Sequence, residues 1–314
     1  MLTRREFIGR TSSCAAHIGL MAAASPALIR RGWLAQERFP VAASAPWGRL
    51  VRVADGVWAL VSDPLQDRTT LCNGGIIAGR SGVAVIESFS TVRGAEWMME
   101  QALDLTGRFP THVILSHYHS DHTAGLAGSA AGGGPVVLTT EQTRDLIRER
   151  IDGVPAQVLD DAVVLVGRRP TELELGDRSV ILVPRRGHTE SDLSIEVPDA
   201  SVMFCGDLVW NGMFPNYVDA TPSRLSREVR VMRLLGTTTY VPGHGPLADV
   251  AAVDRYIGLL DSVEAAARAA LERGMSADEA GAEYSLPTGL EGWTLFSPNY
   301  FSRAIGAWMT ELQA

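Results

Sequence analysis

"SHYHSDHTAG", residues 116–125, packs three of the chain's seven histidines and one aspartate into six residues. One histidine alone needs no explanation, because cores and surfaces both accommodate it. Three beside an aspartate point to a metal, since imidazole and carboxylate are the ligand types that Zn, Fe and similar divalent ions take. The segment follows "THVIL" (111–115), an apolar run that reads as a buried strand. His117 and His119 then alternate as at a strand end, so both reach one point, and Asp121 and His122 follow within one tight turn.

Working outward, the same pattern recurs. His188 sits in "RGHTESD" (186–192), just after the apolar run "SVILVP". Asp207 sits in "FCGDLV" (204–209) and His244 in "VPGHGP" (241–246), each at the end of another strand-like run. Loops at strand ends are where a scaffold places functional groups. Only His17 and His112 fall outside this set. Five histidines and two aspartates thus form one candidate site, with Gly187, Gly206, Gly243 and Gly245 beside them.

The surrounding sequence alternates between strand and helix signals. Hairpins are expected in 49–63, turning at Asp55-Gly56, and in 73–89, turning at Arg80–Gly82. Helices are expected over 94–107, 141–151 and 223–235. Further strands are expected at 134–140, 171–185, 191–209 and 238–244. "GSAAGGG" (128–134) reads as a loop, and the tail from about 250 as helical with an extended patch near 286–298. Strands, helices, strands, helices suggest a sandwich of two mixed sheets with helices outside.

The pieces "HYHSDH", "GHT", "GDL" and "GHG", in this order, resemble the metallo-β-lactamase superfamily over about residues 48–250. The fold implied is its four-layer αββα sandwich, an α/β (α+β) architecture. By that likeness His117, His119 and His188 would hold one metal. Asp121, His122 and His244 would hold a second, and Asp207 would bridge them, as in glyoxalase II. The resemblance implies two Zn²⁺ per chain, with Fe or Mn as other possibilities. It implies hydrolysis by a metal-bound hydroxide, since a divalent ion lowers the pKa of bound water from ~15.7 toward ~7. Asp121 would be the catalytic group, orienting the nucleophile and passing a proton to the leaving group.

Fold does not choose the substrate. Ester, thioester, lactone or related bonds of a small molecule are the expectation. Lactamases proper generally carry Cys or Ser where this chain has Asp207, and many have Lys three residues later, where Trp210 stands. Class B-like β-lactamase activity is therefore one alternative, and a mononuclear iron oxygenase of the persulfide type another. Period-two alternation would place Cys205 on the same sheet face as Asp207, and Arg185 or Arg186 could take the role of the missing lysine. The stretch "GDLVWNGMFPNYVD" (206–219) looks most like periplasmic zinc hydrolases of the quinoprotein-associated type. Its Trp210, Asn211, Met213, Phe214 and Tyr217 would either wall a pocket or pack as core.

Composition narrows the partners. At 46% hydrophobic and 20% charged residues the chain is globular in type. A net charge of −8 argues against nucleic acid, which wants a basic surface. All 28 basic residues are arginine, which removes lysine from the possible catalytic groups. "TRREFIG" (3–9), a weakly apolar run to residue 27 and a small-residue end resemble a twin-arginine export signal. The expected organisation is a leader at 1–27, a linker at 28–47, a catalytic domain at 48–250 and a helical extension at 251–314 packed on the same domain. A periplasmic location, a small-molecule substrate and no stable membrane span after leader removal follow from it.

Overall fold

A computed structural model describes residues 38–64, 66–130 and 134–314. The leader and most of the expected linker lie outside the described residues. Eight strands form the first sheet in sequence order: β1 (Val41–Ala45), β2 (Gly48–Ala54), β3 (Val57–Ser62), β4 (Gly74–Ala78), β5 (Val83–Ile86), β6 (His112–Ile114), β7 (Val136–Thr140) and β8 (Val163–Val166). Pairing is antiparallel from β1 to β5 and parallel from β5 to β8. A long helix, α1 (Val92–Thr106), carries the crossover to β6. Thr91 caps it by accepting from the Gly94 amide, and Gly107 ends it at φ 69°. Short helices α2 (Ser120–Thr123) and α3 (Leu126–Ser129) precede β7, and α4 (Glu141–Arg150) and α5 (Ala156–Ala162) follow it.

The second sheet has the order β13-β12-β11-β10-β9. Its strands are β9 (Thr171–Glu174), β10 (Ser179–Arg185), β11 (Asp192–Val197), β12 (Val202–Trp210) and β13 (Thr239–His244). Only the β12–β13 pair is parallel, and helix α6 (Pro222–Arg233) makes that crossover. Helices α7 (Val250–Arg273), α8 (Ala277–Glu283) and α9 (Tyr300–Leu312) complete the chain.

Three apolar clusters separate four layers. Between the sheets, Val51, Ile77, Ile86 and Ile114 face Leu182, Leu193, Ile195 and Phe204. Outside the first sheet, Met98, Met99 and Ala102 of α1 and Ile147 of α4 cover Ile76, Val85 and Val113. Outside the second, Leu225 and Val229 of α6, Tyr256 and Leu260 of α7 and Ile305 and Trp308 of α9 cover Met203, Cys205 and Tyr240. The period-two alternation of each strand supplies both its faces. The architecture is the αββα sandwich of two mixed sheets.

Several elements differ from the sequence expectation. Residues 41–45, expected in the linker, form β1, because Val41 and Ala43 find partners at Val51 and Leu50. Helix α5 and strand β8 went unforeseen, although "AVVLV" (162–166) is an apolar run of strand length. The expected loop at 128–134 lies partly outside the described residues, and its first two residues belong to α3.

Candidate metal centre

Strand β6 ends at Ile114, so the histidine segment is a loop and not a strand end. The loop turns into α2, and His119 occupies its N-cap position. The Thr123 hydroxyl donates to the Tyr118 and His119 carbonyls at 3.1 and 3.0 Å, pinning the turn. This folded loop, rather than strand alternation, brings His117 and His119 to one point. His188 follows β10, Asp207 lies within β12 and His244 ends β13.

All seven predicted residues meet. Donor atoms of His117, His119, His188 and Asp207 lie within 4.8 Å of one another, and so do those of Asp121, His122 and His244. Asp207 faces both groups, one oxygen to each. Its Oδ2 is 3.2 Å from His188 Nε2 and 3.9 Å from His117 Nε2. Its Oδ1 is 3.1 Å from His122 Nε2 and 3.3 Å from His244 Nε2. Asp121 Oδ2 lies 3.1 Å from His244 Nε2 and 3.7 Å from His122 Nε2.

Hydrogen bonding alone does not satisfy this arrangement. His119 Nδ1 sits 3.1 Å from His117 Nε2 and 3.0 Å from His188 Nε2. Its other nitrogen donates to Asp219 Oδ2 at 3.0 Å, so Nδ1 offers one lone pair to two neighbours. His122 Nε2 and Asp207 Oδ1 are buried without a properly aligned hydrogen bond. Buried polar atoms are rarely left so. A shared cation accounts for the converging lone pairs and the orphaned oxygen together, and the donor set fits a divalent ion of the zinc type.

The electrostatics agree. Burial holds His117 well below the usual imidazole range and pulls His188 down to about 3, so both are neutral donors. Burial also works against a charge on His244, but the Asp207 and Asp121 carboxylates outweigh it and raise the group to about 9. Burial opposes charge on His122 too, but the Cys72 sulfur and the Asp207, Glu87 and Asp121 carboxylates raise it well above the usual range. Burial disfavours charge on Asp121, yet His122 and His244 bring it down to about 2. Asp207 is likewise held well below the usual carboxylate range. Two fixed carboxylates therefore draw positive charge into the site, and a bound cation would displace the protons that otherwise supply it.

Sequence reasoning missed the residues that hold the donors. Glu87 ends the apolar run "VAVIE". Its Oε1 lies 3.2 Å from His122 Nδ1, and its Oε2 accepts from the Ser116 amide at 3.2 Å. It sits at φ 71°, a strained backbone of the kind stored at functional sites. Asp192 accepts from the His188 amide at 3.1 Å and from the Thr189 amide and hydroxyl at 3.0 and 2.6 Å. Asp219 accepts from both His119 and the Tyr118 hydroxyl, with Arg150 donating to that hydroxyl at 3.1 Å. Asn73 donates to the Pro242 and Gly245 carbonyls at 2.9 and 2.8 Å and so ties the first sheet to the His244 loop. An acid ending an apolar strand was the one available signal, for Glu87; Asp219 and Asn73 carry none.

Two expectations about neighbours change, and one open choice is decided. Cys205 and Asp207 do not share a face. Gly206 sits at φ 50° and the register with β13 slips between Phe204 and Gly206, which breaks the alternation. Cys205 therefore packs under α6 and α7, while Asp207 turns into the site. Arg185 is buried on the helix side, held by Glu196 and Glu228 at 3.0 Å each, and cannot serve as the anion-holding cation. Met213, Phe214 and Tyr217 are core. Trp210 packs its ring 4.2 Å from that of His244, with Phe296 against both.

A family model described as the metallo-beta-lactamase superfamily matches residues 68–244. Hydroxyacylglutathione hydrolase from Methylococcus capsulatus is 28% identical over 142 residues, 45% of this chain and 50% of the relative. The enzyme of that name from Shewanella baltica is 26% identical over 133 residues, 41% of this chain and 45% of the relative. The chain thus spans about half the length of the curated relatives it matches. Among solved structures, sec-alkylsulfatase Pisa1 from Pseudomonas sp. superposes with a TM-score of 0.65 at 16% identity, covering 83% of this chain and 49% of that one. A metallo beta lactamase from Erythrobacter litoralis superposes at 0.58 and 18% identity, covering 70% and 98%. At such identities these likenesses speak for the fold alone.

Proposed function

The chain belongs to the metallo-beta-lactamase superfamily, and from that premise we propose that it is an exported, dinuclear zinc-dependent hydrolase of small molecules. Acyl thioesters and esters are its first candidate substrates. One observation carries the reading: the Asp207 carboxylate divides its two oxygens between the two donor groups. A closed structural site normally needs four ligands, and this chain presents seven donors in two sets.

Two divalent ions there would supply Lewis acidity and a water acidified to near neutrality. The protein's own residues do the rest. Asp121 is the partly exposed carboxylate of the set, at 18% against 3% for Asp207. It can take the proton of an attacking water and hand it to the leaving group. Asp219 fixes the His119 tautomer, and Glu87 orients His122. Trp210 and Phe296 cover one face of His244 and limit water there.

The thioester preference draws support from the hydroxyacylglutathione hydrolase relatives and from Asp207 at the bridging position. Cys205, the sulfur that a lactamase reading would recruit, points away into the core. The test is turnover by the zinc-loaded protein on thioesters, lactones, β-lactams, phosphodiesters and sulfate esters, together with metal analysis. About two zinc ions per chain and thioester cleavage are expected. A single iron with oxygen uptake, or β-lactam turnover above all others, would overturn the proposal. Export rests on the leader: replacing Arg4 and Arg5 should leave unprocessed, folded chain in the cytoplasm, and unchanged processing would refute it.

A further inference from the structure

Most described arginines are engaged by a carboxylate, a carbonyl or a ring. The guanidinium groups of Arg168, Arg169, Arg186, Arg224 and Arg255 have no such partner. Three of these five, Arg168, Arg186 and Arg224, line a single cavity of about 280 Å³ at the end of β10, beside the start of α6. Arg227, Arg185, Pro184 and Glu228 complete its wall.

The cavity's charge is not compensated from within. Glu228 is its one carboxylate, and it is committed to Arg185 at 3.0 Å and to Arg227 at 3.4 Å. Arg185 is fully occupied as well, through Glu196 at 3.0 Å and the Ser194 hydroxyl at 2.6 Å. That leaves three guanidiniums facing one concavity in a chain whose net charge is −8. Gathering like charges is unfavourable unless something of opposite sign shares the space. Guanidinium forks match the oxygens of phosphate and sulfate in geometry as well as charge.

The cavity is separate from the metal centre. It opens on the helix side of the second sheet, where Arg185 points, whereas the donor cluster faces the first sheet's histidine loop. The chain leads from one to the other, from Arg186 through Gly187 to His188, and Gly187 packs against Leu225, the neighbour of Arg224. We propose that this cavity is a binding site for the phosphate or sulfate group of a small anionic molecule. Its volume admits the oxyanion with a short organic tail.

Titration calorimetry on the metal-loaded protein tests this, with inorganic phosphate and glycerol phosphate as probes at low ionic strength and chloride as control. Saturable binding of one or both is expected, with a dissociation constant below about 1 mM. The tighter of the two tells whether the free anion or an organic phosphate is the preferred source. The double variant Arg186→Gln, Arg224→Gln should weaken binding about tenfold or more. Arg255→Gln, which removes an unpartnered arginine elsewhere, should not change it. All three positions are exposed, so an unchanged melting temperature is the folding control. Wild-type affinity in the double variant would assign the signal to the metal centre and overturn the proposal. Equal heats with chloride, or no binding, would overturn it too.

Discussion

Asp207 shows how much chemistry one side chain can hold. Its two oxygens address two separate donor groups, so on the dinuclear proposal its charge would set both the affinity of the second ion and the spacing of the pair. Asp207→Asn keeps the size and loses the charge. Metal analysis should show the second equivalent weakened, and kcat should fall about 100-fold or more. Cys205→Ser should leave both within a few-fold of wild type, since the thiol packs in the helix-side core and burial keeps it protonated. The reverse ranking would sink the assignment. Asp219 acts one step further out, through His119. Asp219→Asn should lower metal affinity about 10- to 100-fold in a chelator competition, with only a modest fall in the melting temperature of the metal-free protein. Equal affinity would make the contact incidental. That these seven residues gather was legible in the sequence because histidine is scarce, three stand within six residues, and His188, Asp207 and His244 each adjoin glycine after an apolar run. Asp219 and Asn73 were not, because each acts through a contact made only when distant segments meet; Asn73 and Gly245 are 172 positions apart. Asp192 acts locally, on the amides of His188 and Thr189, but only through the turn that the folded loop adopts.

Strands were legible where apolar runs were long and bounded by turn residues, as in β2, β3, β10 and β12. Edges were harder. Strand β1 has an exposed or half-exposed pattern throughout and is held by its ladder to β2 rather than by burial. What alternation could not reveal is the slip at Gly206, since nothing in "FCGDLV" fixes a backbone at positive φ. The parallel neighbour β13 makes a matching demand. A Cβ at Gly243 would stand 1.9 Å from Asp207 Oδ1, a distance no side chain tolerates. Gly243→Ala should therefore push the carboxylate out of place while both strands still pair. Loss of metal binding with a retained far-ultraviolet dichroism spectrum is the expected result. Full metal occupancy would show that β12 and β13 can part without disturbing the site.

At the scale of the whole molecule, the donors come from both halves of the sandwich. The loop carrying His117, His119, Asp121 and His122 follows the first sheet, and His188, Asp207 and His244 belong to the second. The helices after residue 250 share one apolar cluster with the second sheet, and Phe296 between them reaches the His244 ring. Composition and strand order disclosed the layers, but nothing in the tail's sequence disclosed that its extended patch would lie against the site. Drawing donors from two sheets has a mechanical consequence. A bound ion would work as a rivet through two plates that otherwise adhere by oil and by a few hydrogen bonds such as those of Asn73. Its binding energy then appears as folding stability, about 2.7 kcal/mol when free ion stands at 100 times its dissociation constant. Chelation should lower the melting temperature by a matching amount, and cleavage by protease within 186–191 should appear before the rest of the chain loosens. An unchanged melting curve would mean that the plates hold their alignment unaided. If the rivet holds, the metal sets how far one plate can slide on the other.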